Sequence, residues 1–145
     1  MLNSVQQLFF KAAETKFHFL HSRYGFEFPV TSVDPRTGIA QATFAGRHLV
    51  VELYLDERDE DIDCMVAKMK DGAPAKDYAV DSEGNRVRES LYQMLRRQGV
   101  RERLLSKVGE LPFERQIEPI LEDYAAMLRK HGAAVLNDSK DLWDS

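Results

Sequence analysis

The sequence predicts an α+β domain: an N-terminal helix, a four-stranded antiparallel β-meander, and C-terminal helices packed on the sheet. Apolar residues recur at three- and four-residue steps up to Arg23, then alternate with polar ones from Phe26 to Met69. Helical spacing returns beyond Asn85. All 145 residues read as a single domain, since a chain of this length buries roughly 70% of the surface its unfolded form exposes. With 43% apolar and 30% charged residues, the composition is that of a folded chain rather than a disordered one.

The first helix is expected over residues 4–23. Val5, Leu8, Phe9, Ala12, Ala13, Phe17 and Leu20 line one face, Ser4 with Gln7 fits a capping box, and Gly25 is a natural stop. Phe26, Phe28 and Val30 then alternate with Glu27, Pro29 and Thr31, a first strand that Pro29 confines to a sheet edge. Turn chemistry at residues 34–38 leads to a second strand over 39–44. A third strand over 48–56 sets Leu49, Val51, Leu53 and Leu55 on one side and Val50, Glu52 and Tyr54 on the other, partly covered on both. A fourth, over 61–69, aligns Ile62, Cys64 and Val66.

Residues 71–85, rich in Gly, Pro, Asp and Ala, form a long loop with an extended piece at Tyr78–Val80, a candidate surface. Everything beyond reads as helix. Val87, Leu91, Met94 and Leu95 share one face; Val100, Leu104, Leu105 and Val108 share another. Ile117, Ile120, Leu121, Tyr124, Met127 and Leu128 form a third that ends at Gly132. Pro112 suits the first turn of that last helix, while Pro119 either kinks it or marks its start. In the polar tail, residues 137–145, Leu142 and Trp143 are placed to tack the chain end onto the body.

Function classes narrow by exclusion. No apolar run approaches the length of a membrane span, and the polar Asn3, Ser4, Gln6 and Gln7 are unlike a secretion leader. The single cysteine, Cys64, forbids an internal disulfide and fits a cytoplasmic location. It falls in register with Ile62 and Val66, pointing into the core rather than toward a reactive setting. His18 and His21 lie three apart but lack further ligands with zinc spacing, so no metal and no cofactor are expected. Phosphate loops, dinucleotide fingerprints and nucleophile elbows are absent from the sequence. An enzyme that used the 71–85 loop as a lid would have no assembled catalytic group behind it.

Charge segregation is the feature above background. Residues 56–63 carry six acids, Asp56, Glu57, Asp59, Glu60, Asp61 and Asp63, against Arg58. Such a turn either binds a basic partner or is a solvated hairpin tip that discourages aggregation. Glu110, Glu114, Glu118 and Glu122 form a second acidic row at four-residue spacing, where like charges repel. Tyr54 and Tyr78 are candidate aromatic anchors. A basic stretch, with Arg86, Arg88, Arg96, Arg97, Arg101, Arg103 and Lys107, would suit nucleic acid, with Arg96, Arg97 and Arg101 as contacts. Tyr92 is its sole aromatic, and the chain is net −4.

The first helix leading to Tyr24-Gly25-Phe26, the strand Val51-Glu52-Leu53-Tyr54-Leu55-Asp56, and the late run Tyr124-Ala125-Ala126-Met127-Leu128 resemble a known group. With Leu136-Asn137-Asp138 and the terminal Trp143, the pattern is similar to small bacterial proteins, among them immunity proteins encoded beside polymorphic toxins. Those relatives favour Gly-Asp after the terminal Leu, where this chain has Asn137-Asp138. The resemblance implies a non-catalytic module that binds and blocks a protein partner, such as a basic toxin domain. An acidic binder of that kind gains steered association with a basic partner. A monomer or weak homodimer is expected, with nucleic acid as the alternative partner.

Overall fold

The computed structural model describes residues 2–101 and 109–143. Helix α1 (Ser4–Lys16) is capped by Asn3 rather than Ser4. The Asn3 side chain accepts from the Gln6 amide at 2.7 Å, and the Gln6 side chain accepts from the Asn3 amide at 3.0 Å. The capping box thus sits one residue earlier than expected, because Asn3 is the last residue with extended backbone. The single helix is also broken. Phe17, at φ −106° and ψ 11°, separates α1 from α2 (His18–Tyr24) while burying its own ring. Gly25 ends α2 at φ 78°, the left-handed stop the sequence predicts.

The sheet corrects the four-strand expectation. Five strands, β1 (Val30–Val33), β2 (Ala40–Ala45), β3 (Leu49–Asp56), β4 (Asp61–Lys70) and β6 (Arg88–Ser90), pair antiparallel in the order β1-β2-β3-β4-β6. The sheet curls into a half-barrel. A two-residue β5 (Ala73–Pro74) pairs with the end of β4. β1 is an edge strand, as Pro29 demands, but it starts later than the alternation suggests. The Glu27 amide bonds to Ala45, one residue out of step with the Val30–Thr43 register, so the ladder slips before Pro29. Consequently Phe26 is buried while Phe28 and Val30 are exposed.

The region after the loop is not all helical. Val87 is buried on extended backbone, and β6 follows before Ser90 caps α3 (Leu91–Arg97) by accepting from the Gln93 amide. An extended run that ends in an N-cap puts Val87 and Leu91 on the core as well as a helix would. The 71–85 loop is likewise partly ordered, by β5 and by a Val80–Arg86 bridge. Of the next expected helix, Leu104, Leu105 and Val108 lie outside the described residues, as do Arg103 and Lys107, and Val100 is not helical. Helix α4 (Phe113–His131) runs through Pro119, which is therefore not its start, and Pro112 occupies its N-cap. α5 (Ala133–Leu136) and a 3-10 turn (Lys140–Trp143) close the chain, with Leu142 and Trp143 buried.

One face of the sheet carries Ala40, Ala42, Phe44, Leu49, Val51, Leu53, Leu55, Ile62, Cys64 and Val66, all buried. They form one core with Phe9, Ala13 and Phe17 of the first helices and Ile117, Leu121, Ala125 and Leu128 of α4. The chain end is clamped to the β2–β3 turn. Asp138 accepts from the backbone amides of Arg47, His48 and Leu49, the latter two at 2.9 and 3.1 Å. Gly46 is needed there, since a Cβ would stand 2.8 Å from the Asp138 carboxylate. Among the described residues, no helix is long and apolar enough to cross a membrane.

Candidate binding groove

Because side chains alternate along a strand, the second face of the sheet collects the other set. Gln41 faces Tyr54, Thr43 faces Glu52, and across β3–β4 Glu52 faces Met65, Tyr54 faces Asp63 and Asp56 faces Asp61. Above them the segment after β5 folds over, bringing Lys76 and Tyr78 to the rim. The result is a groove of about 730 Å³, open to solvent.

Its inner half is built on a buried ion pair. Glu52 is 1% exposed in the middle of β3, flanked by Val51 and Leu53. Arg88 of β6 grips both its oxygens, Nε to Oε1 at 2.9 Å and Nη2 to Oε2 at 3.2 Å. The same guanidinium donates to the Ala75 carbonyl at 2.8 Å and to the Asp77 carbonyl, pinning the covering loop. Gln41 reaches Glu52 at 3.5 Å. The Tyr54 hydroxyl also interacts with Glu52; burial first, then that carboxylate's charge, pushes its pKa well above the usual phenol range.

The outer half is acidic. Asp56, Asp61 and Asp63 converge there, and among the described residues none of them makes an ion pair. Asp56 accepts from the Asp59 amide at 3.2 Å, and Asp63 from the Cys64 amide at 2.8 Å. Burial pushes the Asp63 carboxyl above the usual carboxylate range; the Cys64 amide opposes this and the Asp61 charge adds to it. The outer edge of β4 lies beyond the reach of β6 here, and the Tyr124 hydroxyl of α4 caps it by donating to the Ile62 carbonyl at 3.3 Å.

The remaining expected residues lie elsewhere. Glu57, Asp59 and Glu60 are exposed at the hairpin tip, where Glu57 accepts from the Asn3 side chain and Glu60 takes φ 51°. Glu110 is in the turn before α4, not on the helix, so the acidic row shortens to Glu114, Glu118 and Glu122. Glu122 is bridged to Lys16 at 3.5 Å and Arg129 at 3.2 Å. That row belongs to the helical layer across the sheet from the groove. Tyr78 is 83% exposed, whereas Tyr54 forms groove wall.

Arg96, Arg97 and Arg101 of the basic stretch are engaged with their own chain. Arg96 stacks over Tyr92 at 4.9 Å and donates to its hydroxyl; Arg97 pairs with Glu89 at 2.9 Å; Arg101 donates to the Arg96 carbonyl at 2.7 Å. Cys64 is fully buried, and desolvation holds its thiol well above its ordinary pKa. His21 bonds the Phe26 carbonyl and stacks on Phe28 at 3.9 Å, and no metal-binding cluster occurs among the described residues.

The Glu52–Arg88 pair does not stand out in the sequence as a site, its two members lying 36 positions apart. Its signal was present: one carboxylate between Val51 and Leu53 in the strand of residues 49–55 requires a partner. Compared with known protein families, with curated protein sequences and with solved structures, the chain matches none.

Proposed function

We propose that this protein is a non-catalytic binding module that engages another protein through the groove on the open face of its sheet. The reading follows the immunity-type resemblance: a partner such as a basic toxin domain is bound and blocked. The observation that carries it is convergence. Tyr54 and Tyr78 meet Asp56, Asp61 and Asp63 around one groove, so anchors and charges drawn from distant stretches of the chain serve a single surface. Exposed aromatics supply contact area at little entropic cost, and carboxylates steer a basic partner and select against acidic ones. The nucleic-acid alternative has less support, because Arg96, Arg97 and Arg101 are committed to Tyr92, Glu89 and backbone carbonyls.

A tagged pull-down from the native host, split into nuclease-treated and untreated halves, tests this reading. The expected result is a stoichiometric protein that survives nuclease and associates more slowly as salt rises. Tyr78→Ala then weakens that complex by about 1–2 kcal/mol. Nucleic acid recovered only from the untreated half, or a protein held equally well by Tyr78→Ala with Asp61→Lys, overturns it.

A further inference from the structure

We infer that the outer half of the groove receives the guanidinium group of an arginine side chain carried by the partner; this rests on the protein-binding reading above. The molecule contains its own precedent. In the inner half, the face already holds one guanidinium, Arg88, in the carboxylate fork of Glu52 with two backbone carbonyls as further acceptors. One step along the same strands the pattern of tyrosine and carboxylates continues through Tyr54, Asp63, Asp61 and Asp56, and none of these three carboxylates makes an ion pair among the described residues. Groups facing each other across such a pair have Cβ atoms only about 5 Å apart, so Asp56 and Asp61 repel directly. A cation seated between them and Asp63 removes that repulsion.

Shape favours arginine over lysine. The groove is walled by the Tyr54 ring and rimmed by the largely exposed Tyr78 ring. A planar guanidinium stacks on aromatic faces while it donates to carboxylates in the ring plane, whereas an ammonium is a strongly hydrated point charge. Lys76 and Arg88 are the cations that line the groove among the described residues. With Glu52 neutralised by Arg88, three further carboxylates and one lysine line the groove, and the balance remains open to an incoming positive charge.

The experiment uses the full chain and N-acetyl-arginine methylamide as probe, followed by amide NMR shifts of Tyr54, Asp61 and Asp63. Its neutral isostere, N-acetyl-citrulline methylamide, and the lysine analogue serve as comparisons. Saturable shifts are expected with the arginine probe, weaker ones with lysine and none with citrulline. Asp61→Asn weakens the arginine probe by roughly threefold or more, while Asp59→Asn at the hairpin tip leaves it unchanged. Equal binding of arginine and citrulline, an affinity indifferent to Asp61, or no saturable shift overturns the inference. A Tyr78-dependent protein complex with no arginine binding overturns this inference alone. Arginine binding with no captured protein overturns the protein-partner reading alone.

Discussion

On one face of the sheet, Phe44, Val51, Leu53 and Cys64 are removed from water against α1 and α4; on the other, Glu52, Tyr54, Asp63 and Arg88 occupy the same or neighbouring strands. The apolar face is satisfied by contact alone, which is non-directional and tolerant of small shifts. The polar face is satisfied only by specific partners. Glu52 is as buried as the core residues, but it depends on the fork from Arg88. Half of that face is internally neutralised, and half carries carboxylates with no ion pair among the described residues. The second half therefore keeps a repulsion between facing carboxylates that no ion pair among the described residues offsets.

Three changes sharpen the contrast, the strongest first. Arg88→Ala leaves the Glu52 carboxylate buried and unpaired, and a loss of about 3–5 kcal/mol is expected in urea unfolding. A double change to Glu52→Leu with Arg88→Met restores most of that loss, because paired apolar replacements avoid stranding a charge. If both variants are equally unstable, the pair contributes through the loop it pins rather than through its charge.

The second change concerns pH. Asp63 has a folded pKa raised above its unfolded value, mainly by burial, so the native state binds the proton more readily. Its penalty is fully present above the raised folded pKa and is relieved as pH falls through it toward the ordinary carboxylate value. Asp63→Asn is therefore expected to be more stable than wild type at neutral pH, with the gap closing as the solution is acidified. The substituted side chain still accepts from the Cys64 amide. Unfolding at a series of pH values checks this, and a gap independent of pH contradicts it.

The smallest effect belongs to Asp61→Asn, which removes the repulsion facing Asp56 and raises stability by about 0.2–1 kcal/mol. The same substitution weakens arginine binding in the groove, so the two readouts move in opposite directions. A variant that loses both stability and binding would show Asp61 to be structural.

Much of this was legible in the residues. The Ile62, Cys64 and Val66 alternation, the turn chemistry before β2, the stop at Gly25 and the docking of Leu142 and Trp143 all follow from local rules. Failures arose where two structures satisfy the same pattern. Val87 and Leu91 lie on one apolar face whether the chain is helical or extended up to a cap, and only the pairing of Arg88 with Ala67 decides for β6. Phe26, Phe28 and Val30 alternate correctly, but the slip in register at Glu27 exposes the last two.

The candidate site divides in the same way. Acidic residues 56–63 stand out as a charge run, yet the run does not tell Asp56, Asp61 and Asp63, which share the groove, from Glu57, Asp59 and Glu60 at the tip. The alternation of strand side chains is a local property, so the sequence by itself determined which residues share each face of β3 and β4. The partner of Glu52 lies 36 positions along the chain, and Tyr78 arrives on a loop held by Arg88. Those meetings depend on long-range register and loop closure, which no local pattern encodes, and only the tertiary structure decided them.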